Sequence, residues 1–257
     1  MSTQRQDRTE ADRRTILKLA GIGIGVASLP AAAEAQSAPD EAAHGAMPGM
    51  TPAPAPAPAA GDAPLPDGYV FLNLDEAPFV EAFVDTLIPE DEFGPAGTAL
   101  GVATFVDRQL NSGFGRGDRM YLQGPFHEGT PEQGYQMPLT PNELVRAGIA
   151  DVNAYVARLH DGYTFDGLEP ADRVKIVTGL ERGQIALPTV PTAIFFGTLY
   201  QLVMDGFFAD PIYGGNKGKA SWKMLGYPGI GEMYADKIES WRNKPYRADP
   251  LSIQDLS

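Results

Sequence analysis

Three histidines, a run of three acids and a complete lack of cysteine define the chemistry open to this chain. His44 lies in an alanine- and proline-rich stretch. His127 sits in GPFHEGTPEQG, and His160 falls at the end of an expected helix, where a positive ring suits the helix dipole. No H-x-x-x-H or H-E-x-x-H pair links them, so histidine-led metal binding has no framework. Glu90, Asp91 and Glu92 follow an expected helix end. Such carboxylates could hold calcium or supply a base, but adjacent acids point in different directions and EF-hand spacing is absent. A solvated acidic turn is the better reading. A self-sufficient periplasmic metal-binding or hydrolytic domain using these acidic loops is the alternative.

His44, Met47 and Met50 could together hold copper in an oxidising compartment. In a segment of this composition their grouping is expected by chance. The absence of cysteine removes disulfides, thiolate nucleophiles, iron–sulfur clusters and covalent c-type haem. There is no G-x-S-x-G elbow and no phosphate-binding P-loop. No residue is assigned a catalytic, cofactor-binding or metal-binding role. The formal net charge of −13 disfavours nucleic acid and anionic lipid as partners.

The elements that would position any site are helical. LDEAPFVEAFVDTLIP places Phe79, Val80, Phe83, Val84 and Leu87 on one face, with Asp75 as N-cap and Pro89 as terminator. Val102, Phe105, Val106 and Leu110 form a second stripe. Thr140-Pro141-Asn142-Glu143 combines a cap, a first-turn proline and a capping-box glutamate. Val145, Ile149, Val152, Val156 and Leu159 then make an apolar seam. A fourth helix follows Pro170, with Val174, Val177 and Leu180 inward. The fifth, within residues 191–208, is apolar nearly all round and reads as the central buried helix of a bundle. No alternating strand pattern occurs. The expected fold is all-α: a single helical domain over 67–257 with long loops rich in Gly, Pro and aromatics.

Ahead of that domain stands an address. Arg13 and Arg14 precede a mild, glycine-rich apolar run, the layout of a twin-arginine export signal over residues 1–35, with cleavage near Ala35. The glycines of GIGIG follow no strand, so they are not a dinucleotide loop. Residues 36–66 form a Pro/Ala-rich linker, expected to be disordered because it cannot bury enough apolar surface to fold. Export of a folded protein suggests a cofactor, yet this chain lacks the groups to hold one. The expectation is that a partner holds it.

Loops 87–97 and 207–229 carry little hydrophobic periodicity but many glycines, prolines and aromatics. The candidate partner-contacting residues are Phe93, Asp210, Tyr213, Asn216, Trp222 and Tyr227, since tyrosine and tryptophan join apolar area to a polar tip. Asp210 before Pro211 also suits a turn-ordering role.

TLIPEDEFGPAG with the following FVDRQL, then YLQGP, then GFFADPIYGGNKGKASWKMLGYPG together resemble the gluconate 2-dehydrogenase subunit 3 family, over roughly residues 70–235. The resemblance implies a non-catalytic small subunit of a periplasmic, membrane-associated dehydrogenase. It implies a large subunit that carries FAD and oxidises a sugar, polyol or sugar acid. It also implies a multihaem cytochrome c subunit holding haem c. In that picture the small subunit supports export, folding and stability of the flavoprotein. The long Pro-Ala linker departs from the family pattern and distances leader from body.

Overall fold

The structure, a computed structural model, describes residues 68–127 and 129–256. Arg13, Arg14, the cleavage region, the 36–66 linker and the His44/Met47/Met50 grouping lie outside the described residues. Within them the chain forms six α-helices joined by short 3-10 turns and no strand, as its periodicity dictates. The helices are α1 (Glu76–Leu87), α2 (Val102–Asn111), α3 (Pro141–Leu159), α4 (Pro170–Glu181), α5 (Thr192–Phe208) and α6 (Ala220–Leu225). None is long and apolar enough to cross a membrane.

α5 organises the bundle, packing on α2 most extensively and on α3 and α4 as well, while α1 packs on α2, α3 and α4. Glycines set two of these crossings. A Cβ on Gly148 of α3 would fall inside the Phe195 ring, and one on Gly206 of α5 would lie 2.8 Å from Phe105 of α2. Phe79, Phe83 and Phe165 form the aromatic centre, with the Phe79 and Phe165 ring centroids 4.9 Å apart. Burying such side chains contributes about 1.5–3 kcal/mol each.

Buried carboxylates fasten the connections. Asp107 is fully buried and accepts the backbone N–H groups of Val70, Phe71 and Leu72 at 2.8–2.9 Å. Arg146 bonds Glu76 at 3.0 Å, donates to the Phe71 carbonyl and stacks over the Phe71 ring. Asp151 accepts the backbone N–H and hydroxyl of Thr189, holding the strap that leads into α5. The Thr140–Glu143 capping box forms as expected, with the Thr140 N–H donating to the Glu143 carboxylate at 2.8 Å. Those hydrogen bonds hold the Glu143 carboxyl below its usual range.

Several expectations are corrected. Asp75 stands at the N-cap position of α1, but its backbone angles are helical and its side chain makes no cap bond. Asn73 does that work, its Oδ1 accepting the Asp75 and Glu76 N–H groups while Glu76 accepts the Asn73 N–H. Leu159 leaves the α3 seam and is exposed, because the helix ends at His160 before another element covers it. Ile176 rather than Val174 is buried in α4. α5 is not enclosed all round, since one stripe of it faces solvent. The 207–229 stretch is not a plain loop, for it contains α6 and two 3-10 turns, Pro211–Tyr213 and Lys217–Lys219.

Candidate functional site

The 209–229 segment is locked in place by close backbone approach. Asp210 orders its start: Oδ1 accepts the Ile212 N–H at 3.0 Å, and Oδ2 accepts the Ile253 N–H at 2.8 Å. Gly214 has φ +98°, a region costly for other residues, and a Cβ there would strike the Arg108 guanidinium. Gly215 lies against the Gly206 carbonyl of α5 so closely that no Cβ fits. The Lys217 N–H donates to the Leu100 carbonyl at 3.0 Å, binding the loop to the start of α2.

Asn216 is the buried keystone, with a left-handed φ of +47°. Its Nδ2 donates to the Ala209 carbonyl at 2.9 Å, and its Oδ1 accepts the Ser221 N–H at 3.0 Å. Trp222 is also buried, its Nε1 donating to the Phe208 carbonyl at 2.8 Å and its ring meeting Tyr227 edge-on at 5.2 Å. At the far end Gly229 abuts the Leu251 carbonyl, and two backbone hydrogen bonds pair Pro228 and Ile230 with Leu251. Lys219 bonds Asp255 at 2.7 Å, and Ser252 adds its N–H and hydroxyl. These bonds, the lysine first, hold the Asp255 carboxyl down at about 2.

The sequence-derived candidates therefore separate. Tyr213 is 54% exposed, Tyr227 43% and Phe93 37%. Phe93 lies on the acidic turn after α1, away in sequence from the other five. Asn216 and Trp222 do not present themselves to a partner: both are turned inward, their polar atoms already bonded within the loop. Asp210 has both oxygens occupied by N–H groups. These three shape the surface, and the tyrosines stand on it.

Beside Tyr213 an open groove of about 550 Å³ runs between α2 and α5. Phe105, Met204, Phe208 and Ala209 supply its apolar lining, and Asp205 and Asp210 its charge. A second, smaller hollow of about 290 Å³ gathers Met120, Tyr121, Gln123, Pro125, Phe126 and Tyr135. Burial pushes the Tyr135 phenol up, and it donates to the Leu139 carbonyl. Among the described residues no group of three or more His, Asp or Glu side chains is placed to hold a metal ion. Asp91 serves its own turn, accepting the Phe93 N–H.

Residues 74–229 match the family described as Gluconate 2-dehydrogenase subunit 3, more than half of the chain. The chain belongs to the gluconate 2-dehydrogenase subunit 3 family. No curated protein and no solved structure matches it. The match covers FVDRQL, YLQGP and the whole glycine-stapled stretch, ending at Gly229. A subunit 3 chain is by its description one component of a dehydrogenase complex.

Reasoning from sequence missed the fasteners of this subunit: Asp107, Arg146 and Asp151. Asp107 had a signal, a carboxylate set between Val106 and Leu110 of an otherwise apolar stripe. Nothing in sequence indicated which backbone amides it would meet.

Proposed function

We propose that this subunit 3 chain is the non-catalytic small subunit of an exported, FAD-dependent sugar, polyol or sugar-acid dehydrogenase. It stabilises the FAD-bearing large subunit and carries that subunit outward on its own twin-arginine signal, Arg13 and Arg14. A cytochrome subunit with haem c completes the complex and holds it at the periplasmic membrane face.

The observation that carries this reading is the family match over the residues that build the stapled loop. Four glycine and asparagine positions there are spent on rigidity, and two exposed tyrosines are held at its surface. A rigid loop bearing aromatic anchors loses little entropy on docking, the property that favours tight protein interfaces. The test is co-purification. The tagged full-length chain, expressed in its native host, is expected to bring down a second polypeptide with flavin absorbance. Replacing Arg13 and Arg14 with lysine is expected to leave both proteins in the cytoplasm. A colourless single band from the wild-type chain would refute the proposal.

A further inference from the structure

α5 shows solvent a face that no other described residue covers. Ala193, Gly197, Gln201 and Asp205 recur every fourth residue and are exposed, with Met204 and Phe208 alongside. The helix has no lysine or arginine in its 17 residues and only one acid, Asp205. Surface helix faces ordinarily carry several charges, whereas this one carries a single acid and sets the exposed Phe208 beside it. Gly197 adds a separate anomaly. It sits mid-helix, where glycine is disfavoured, yet a Cβ there would meet nothing within 4 Å. Unlike Gly148 and Gly206, it serves no crossing among the described residues.

The same face continues into the groove beside Tyr213. Its lining combines Phe105, Met204 and Phe208 with two carboxylates and no cation. Asp210 is satisfied by two backbone N–H groups, whereas Asp205 accepts only the Gln201 amide at 2.7 Å. We infer that another subunit of the dehydrogenase docks here through an apolar helix carrying a lysine or arginine. Its backbone crosses α5 closely at Gly197, its apolar side chain enters the groove, and its cation meets Asp205. The charge pattern selects this occupant over a second copy of the chain. A second copy presenting this same face offers Asp205 no lysine or arginine, since α5 has none and the groove lining has none, and it adds a second net charge of −13.

This inference rests on the proposed function, and the experiment separates the two. Gly197→Ala is expected to raise the unfolding midpoint of the isolated chain by about 2–4 °C, since helix propensity rises and the added methyl group displaces nothing. Gly197→Trp and Asp205→Lys are each expected to keep the helical circular dichroism of the wild type. Each should lower the recovered second subunit at least tenfold. Leu159→Trp, an exposed position on α3, is expected to leave recovery unchanged. If the wild-type chain brings down its partner and both α5 variants do so equally well, the surface is wrong and the function stands. If the wild-type chain brings down nothing, function and surface fall together. If Gly197→Trp misfolds, Asp205→Lys decides alone, because that side chain is exposed and bonds only Gln201. Loss of a self-dimer with retained partner also overturns the assignment.

Discussion

Asp107 offers the sharpest test of how the body is held together. Its carboxylate is fully buried and forms no ion pair among the described residues, so three N–H donors replace its water. Oδ1 accepts from Phe71 and Leu72, and Oδ2 from Val70. Asp107→Asn keeps the shape but presents an NH₂ group to the Val70 N–H, setting donor against donor. The two remaining bonds lose their charge assistance, each worth about 1.5–3 kcal/mol when charged against about 1 when neutral. Two effects reduce the loss: a neutral amide is easier to bury, and half-exposed Val70 can turn its N–H to water. The expected net cost is about 2 kcal/mol for Asp107→Asn and about 4 for Asp107→Ala. For a body of this size these correspond to midpoint drops of about 4–8 °C and 8–16 °C. Thermal circular dichroism reads the first quantity. Amide hydrogen exchange at residues 70–72 reads where the loss occurs. An unchanged midpoint for Asp107→Ala, with those amides still protected, would show that the strap is held by something else.

Three further outcomes follow from the same structure. Gly215→Ala drives a methyl group into the Gly206 carbonyl and is expected to cost about 2 kcal/mol, with exchange protection lost first across 214–222; an unshifted melt would contradict the close approach. Burial, then the 2.6 Å hydrogen bond to Glu81, pushes the Tyr69 phenol far above its ordinary 10. Its contribution is complete below pH 10 and is lost only as pH rises beyond that; ultraviolet titration of Tyr69→Phe against wild type should therefore show no missing phenolate between pH 10 and 12. Asp255, held near 2 by Lys219 and Ser252, stabilises the C-terminal tie above its ordinary 3.8 and loses that effect as pH falls from there to about 2. Carboxyl NMR should find it the more acidic group, and Lys219→Met should return it upwards.

Sequence and tertiary structure divided the work along a physical line. Periodicity and caps are local, so the stripes of α1 and α2, the Thr140–Glu143 start of α3 and the presence of five helices could be derived from residues a few places apart. The family stretches, too, stood in the sequence as an order of glycines, aromatics and a proline-flanked acid. Which way those residues face depends on elements far along the chain. Asn216 and Trp222 turn inward because Ala209 and Phe208 offer carbonyls at the end of α5, and Gly215 is a glycine because Gly206 lies beneath it. Asp107 is buried because residues 70–72 bring three amides to it across more than thirty intervening positions. An apolar stripe announces that a helix will be covered on that side, but only the packed chain reveals which stripe, on α5, its own body leaves bare.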